Sequence, residues 1–168
     1  MRAGDFGTGL NPAQWEALRY LLRANRFSKT PAALADYLNA TRGTVSQTLI
    51  ALEEKGLIEK TKSEKDARSF SLTLTEEGRK MLTRDSEGAL ARDIDRAGKA
   101  AAIASALEAA LGLAIRRRGG REFGACKTCR HFRRGTGAPG FHLNRCAHFD
   151  EPLTAQDAEA ICVAMEAA

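Results

Sequence analysis

Apolar positions between Thr30 and Gly78 change period twice. Leu34, Tyr37 and Leu38 recur at helical spacing, and Val45, Leu49 and Leu52 follow at i, i+4 and i+7. Leu57 to Lys62 then reads as one strand, and Phe70, Leu72 and Leu74 alternate with Ser71, Thr73 and Thr75 as another. Local signals divide these runs. Thr30 caps the first helix with Pro31 at its first position, where the absent N–H costs nothing. Asn39-Ala40 breaks that run before a second cap at Thr41, and Gly56 ends the second helix where a left-handed backbone suits glycine. The pattern predicts two helices across a tight turn, then a two-stranded wing with the polar tip Ser63 to Arg68.

The second helix keeps its apolar stripe on one side, and Arg42, Gly43, Thr44 and Gln47 lie opposite, with Ser46 on a flank. Small and polar side chains of this kind suit a helix laid in a major groove, where hydroxyl, amide and guanidinium groups reach base edges. Lys62, Lys65 and Arg68 belong to the wing and suit phosphate or minor-groove contact. Glu53, Glu54, Glu59 and Glu64 dilute the positive charge of this region.

Four segments together resemble the MarR family of winged-helix transcriptional regulators. They are LNPAQWEALRYL from Leu10, TRGTVSQTLIALEEKGLIEK from Thr41, the wing Asp66-Ala67-Arg68, and LTLTEEGRKML from Leu72. The resemblance spans roughly Leu10 to Leu90. It implies a winged helix, double-stranded DNA as partner, a homodimer, and, as in many members, a small-molecule effector. It also implies Arg68 in the minor groove or at a phosphate, braced by Asp66. Family members usually carry a long dimer-building helix ahead of the LNPAQW segment. Here only Met1 to Gly9 precede it, so a different dimer interface, or a monomer, is expected.

Beyond the wing, Glu76 to about Asp95 reads as a continuing helix. Ala97 to Arg118 reads as an alanine-rich helix with Ile103, Leu107, Leu111 and Ile115, suited either to a twin subunit or to its own domain. Charge is distributed unevenly: about +2 over residues 1–115, about +8 over 116–145 and about −5 over 146–168, within a net +5. The run Arg116 to Arg121 suits a helix C-terminus or a phosphate contact.

All four cysteines follow that boundary: Cys126, Cys129, Cys146 and Cys162, spaced C-x2-C-x16-C-x15-C. A cytoplasmic chain has little use for a disulfide framework, so the clustering points to one metal centre. Structural zinc sites usually bring two close pairs, whereas here the second pair is split, which suits a larger cluster. CKTCRHF, RCAHF and IC also resemble the cysteine pattern of high-potential iron–sulfur proteins, over Cys126 to Cys162 only. A [4Fe–4S]-type cluster is therefore the expected cofactor, with zinc the alternative. His131, His142 and His148 are candidates to replace a thiolate or to stand beside one, and Phe132, Phe141 and Phe149 to exclude solvent. A last helix is expected from Thr154, carrying Cys162 onto the centre.

The expected architecture is mainly α with a small β-wing: a winged helix-turn-helix over 1–95, a helix and basic linker over 96–121, and a Cys-rich C-terminal module over 122–168. The expected function is a cytoplasmic DNA-binding regulator whose cysteine centre senses iron, oxygen or redox state. An interaction protein with a structural or electron-transfer module is the alternative. No apolar run is long enough to span a bilayer. The helix-turn-helix half has no paired carboxylates in an apolar setting and no nucleophile with a nearby histidine, and Gly119-Gly120 lacks the flanking pattern of a phosphate-cradling loop, so an enzyme is not expected.

Overall fold

The computed structural model describes residues 9–62, 70–83, 86–117, 123–135 and 144–168, with the side chains of 86–89 left aside. Three helices form the first layer: α1 (Pro12–Arg23), α2 (Pro31–Leu38) and α3 (Arg42–Glu54). Each begins at a side-chain cap. Asn11 makes a reciprocal capping box with Gln14, Thr30 accepts from the Ala33 amide, and Thr41 accepts from the Thr44 amide. Asn39 closes α2 in the left-handed region at φ 49°. Gly56, at φ +67°, closes α3. Its N–H reaches the Glu53 carbonyl while the Leu57 N–H reaches Leu52, the paired bonds of a Schellman motif.

The wing pairs β1 (Ile58–Lys62) with β2 (Phe70–Leu74) antiparallel, Ile58 opposite Leu74 and Lys60 opposite Leu72. Leu72 and Leu74 are buried, whereas Phe70 at the distal end is exposed. The tip, with Lys65 and Arg68, lies outside the described residues. Trp15, Leu18, Leu21, Leu34, Val45, Leu49, Leu52, Ile58 and Leu72 fill one continuous core. Each large side chain so buried contributes about 1.5–3 kcal/mol, which holds α3 at a fixed angle to the wing.

The continuous helix expected from Glu76 is two helices, α4 (Glu76–Leu82) and α5 (Ser86–Arg96), separated at Thr83. The Thr83 hydroxyl turns back to the Lys80 carbonyl at 2.8 Å and competes with helix continuation. The alanine-rich helix α6 (Ala100–Arg117) starts later than Ala97, because Gly98 sits at φ +68°. None of its side chains is buried, and Leu107, Leu111 and Leu113 are each at least 60% exposed.

The C-terminal module is built from short pieces. Strand β3 (Gly124–Ala125) leads into a 3-10 turn, Cys126–Thr128, followed by β4 (Phe132–Arg133), β5 (Asn144–Cys146), β6 (Glu151–Leu153), helix α7 (Ala155–Glu159) and β7 (Ile161–Cys162). β4, β5 and β6 form one small antiparallel sheet, and β3 pairs with β7. Thr154 caps α7 as expected, with Asp157 completing the box. Cys162 does not ride on that helix. Ala160 is extended, and Ile161 and Cys162 pair with Ala125 and Gly124 as a strand.

Candidate nucleic-acid interface and thiol centre

Val45, Leu49 and Leu52 face inward on α3, leaving Arg42, Gly43, Thr44, Ser46 and Gln47 exposed on one surface. A Cβ on Gly43 would meet only the Thr41 hydroxyl, at 3.8 Å, so the helix start is open to close approach. Lys62 is exposed at the end of β1. On the flank of α3, the Lys60 ammonium engages Glu53 at 2.7 Å, which offsets one of the carboxylates near this face.

The four cysteines, scattered over 37 positions of sequence, come to one end of the module. Cys126, Cys146 and Cys162 are buried together with Leu153, and Phe132, Phe149, Ala164 and Met165 pack around them. Cys129 stands at the rim, half-buried, its Sγ accepting the Glu166 amide at 3.5 Å. Among the described residues no three sulfurs lie within 4.8 Å of one another. The aromatic shell expected of Phe132 and Phe149 is present, while Phe141 and His142 lie outside the described residues.

Several donors converge on the buried sulfurs. Cys126 shares a hydrogen bond with Cys162, which holds the Cys162 thiol below its ordinary range; Asn25, the Ala164 amide and Ser28 act in the same direction against burial. Cys126 is pushed up by that same shared bond and by desolvation. Asn25 Nδ2 donates to Cys126 Sγ at 3.2 Å. The pair thus favours the anionic form at Cys162 and disfavours it at Cys126.

Asn25 and Ser28 belong to the turn between α1 and α2, and no spacing in the sequence points to them. The Asn25 N–H donates to the Ile161 carbonyl at 2.9 Å, beside a parallel bridge between Ala24 and Ile161. The Val163 amide donates to Ser28 Oγ at 2.8 Å, and Ser28 Oγ donates to Asn25 Oδ1. Phe27 stacks on Phe149 with centroids 4.4 Å apart, and Arg26 pairs with Asp157 at 3.0 Å while also bonding the Pro152 carbonyl. Tyr37 meets Phe123 edge-on, and Ile161 enters the winged-helix core itself. The module is thus seated on the helix-turn-helix rather than hung from it.

A cleft of about 1210 Å³ opens between α2, α6 and the module, lined by Arg23, Lys29, Tyr37, Arg79, Leu111 and Phe123 among others. Burial, and then the neighbouring Arg79, hold the Lys29 ammonium below its ordinary range. Three further residues meet outside the thiols: His131 and His148 come together with Glu166, a residue that carries no signal in the sequence. Among the described residues no helix is long and apolar enough to cross a membrane.

Residues 8–69 match a family model described as MarR family. Among solved structures the chain is similar to FabT of Streptococcus pneumoniae, determined in complex with DNA, at 26% identity over 66% of this chain and 78% of that one, with a TM-score of 0.51. It is also similar to a MarR transcriptional regulator from Methanosarcina mazei Go1, at 24% identity over 64% of this chain and 80% of that one, with a TM-score of 0.52. These likenesses show the winged-helix fold. No curated protein matches the chain. The matched family segment ends in the wing, well before Cys126.

Proposed function

We propose that this chain is a MarR-type transcriptional regulator that reads double-stranded DNA as a homodimer and whose cysteine centre governs that reading. The DNA half rests chiefly on α3, whose apolar stripe is consumed by the core while its polar surface stands free beside the wing. Arg42, Thr44 and Gln47 are assigned to base edges, with Ser46 and Gly43 allowing close fit; Lys62, Lys65 and Arg68 are assigned to the backbone and minor groove. The DNA complex of the similar FabT supports this reading. The apolar, unburied face of α6 supports a dimer, since Leu107, Leu111 and Leu113 are costly to leave in water. A small-molecule effector would find its place in the cleft beside Lys29 and Arg79.

Cys126, Cys129, Cys146 and Cys162 are the residues assigned to the metal centre. Zinc would draw four sulfurs to about 3.8 Å from one another, given Zn–S bonds of about 2.3 Å. The spacing of the cysteines, one close pair and two single distant residues, supports an iron–sulfur cluster, in which each sulfur serves a different iron. Such a cluster, when bound, supplies a group sensitive to oxygen and to electron transfer. The chain's own part is to transmit its state. Asn25 and Ser28 hold the sulfurs and β7 on one side and fix the α1–α2 turn on the other, so altered thiols change the seat of α2, and with it α3.

DNA binding is tested by fluorescence anisotropy on random duplex at several salt concentrations. A log-log slope of about one unit per phosphate contact is expected, and salt-insensitive or absent binding overturns the DNA reading. The sensing half is tested on duplexes selected from a random pool by the full-length protein. Oxygen exposure or chelation is expected to change affinity at least about tenfold, and Cys129→Ala to abolish that change with α1–α4 still folded by circular dichroism. An identical response in Cys129→Ala overturns it.

A further inference from the structure

Two sequence units, Cys129-Arg130-His131 and Cys146-Ala147-His148, repeat a cysteine followed two residues later by a histidine. The β4–β5 pairing sets them side by side: Phe132 lies opposite Cys146, and the Ala147 amide donates to the His131 carbonyl at 2.8 Å. Cys146 is consequently turned inward and His148 outward. The imidazoles lie with centroids 5.2 Å apart, and His148 stands edge-on to Phe149, which limits its rotation. Glu166 closes the set from the segment after β7, its backbone carbonyl held by the Arg130 amide at 2.9 Å. One ligand atom from each of His131, His148 and Glu166 falls within 4.8 Å of the other two.

We propose that His131, His148 and Glu166 form a second metal site, separate from the thiols, that takes one divalent first-row transition ion through two imidazole nitrogens and a carboxylate oxygen. Bonds of about 2.0–2.2 Å bring tetrahedral ligand atoms to roughly 3.4 Å from one another. His131 Nε2 and Glu166 Oε1 already stand at 3.1 Å, so the exposed His148 makes the main adjustment, a small shift within its edge contact to Phe149. Arg130 Nη2 holds the other Glu166 oxygen at 2.5 Å and orients the carboxylate, as outer partners of metal ligands do. Two nitrogens and one oxygen suit zinc, cobalt, nickel or ferrous iron, with water completing the sphere. The site differs from the thiol centre in donor chemistry and in exposure, and it does not depend on DNA reading.

The test is a Co²⁺ titration of the full-length protein, purified anaerobically with its thiol centre intact. One Co²⁺ per chain is expected, with weak visible ligand-field bands and without the intense near-ultraviolet band of thiolate ligation. His148→Gln and Glu166→Gln are each expected to weaken Co²⁺ at least about tenfold while the metal content of the thiol centre is unchanged. In wild type, Zn²⁺ is expected to shift the ring resonances of His131 and His148 together. A thiolate band with unaltered affinity in His148→Gln, or imidazole resonances that Zn²⁺ does not move, overturns the proposal.

Discussion

The winged helix and the cysteine module solve the same problem with different means. Trp15, Tyr20, Leu34, Leu49, Leu52 and Leu72 are fully enclosed in the first region. In the second, Leu153 is the one large apolar side chain so enclosed among the described residues, and the rest of the small core is thiol. A region with so little apolar surface to bury gains little to offset the entropy of ordering its chain, so it draws on its neighbour, and the metal centre proposed for it would add to that support. The seam from Ala24 to Ser28 is where it does the latter. A weak module on a strong platform has a state that a ligand can change without unfolding the platform.

The comparison breaks most visibly in the core of the platform. Trp15→Ala is expected to destabilise the protein by roughly 3–5 kcal/mol in urea unfolding and to take the module with it, because the platform supplies the seat. If the module keeps its protection from proteolysis in that variant, the two regions are independent.

Ile161→Ala comes next, at roughly 2–5 kcal/mol, and is the more telling variant, since Ile161 belongs to the module by sequence and to the platform's core by packing. Its loss is expected to lower the midpoints of both regions, monitored by Trp15 fluorescence and by thiol reactivity. A change confined to thiol reactivity would mean that the seam is only a surface contact.

Asn25→Ala removes the amide that donates to Cys126 and is expected to cost about 1–3 kcal/mol, concentrated in the module. Hydrogen exchange checks this: β3 and β7 amides should exchange faster while α3 amides do not.

The smallest effect sharpens the platform's side. Tyr20 donates to the Ser28 carbonyl at 2.7 Å, and burial, the first cause, raises its phenol well above the ordinary 10.0. A raised acid contributes stability that is complete below the unfolded value and fades as pH climbs past it, so wild type is expected to weaken above about pH 10. Tyr20→Phe is expected to cost about 0.5–1.5 kcal/mol at pH 7 and to flatten that alkaline slope, read from urea midpoints at pH 8 and 11. An equal slope in both proteins would assign it elsewhere.

What could be read from sequence divides along the same line. The caps at Thr30, Thr41 and Thr154 and the glycine at Gly56 are carried by neighbours three or four residues away, and the structure has each of them. The stripe Val45, Leu49, Leu52 likewise fixed which face of α3 is free. The four cysteines announced a cluster, yet Asn25 and Ser28 carried no sign of joining it, because their partners lie 101 and 135 positions away. Cys162 was expected on a helix because Thr154 caps one. Pairing of Ile161 with Ala125 and Ala24 overrode that local preference after five residues. The break at Thr83 was hidden for a similar reason, since the helical pattern of Glu76 to Asp95 continues through it.

Asn25 has to wait for Cys126 during synthesis. The chain emerges from its N-terminus, and at about 5–20 residues per second the 101 positions between them take roughly 5–20 seconds. From Leu74 onward α1 to α3 and both wing strands have been made while their seat for the module still stands empty. A newborn copy therefore passes through a stage with its helix-turn-helix formed and its cysteines not yet made, and it acquires the seam only once β7 has arrived.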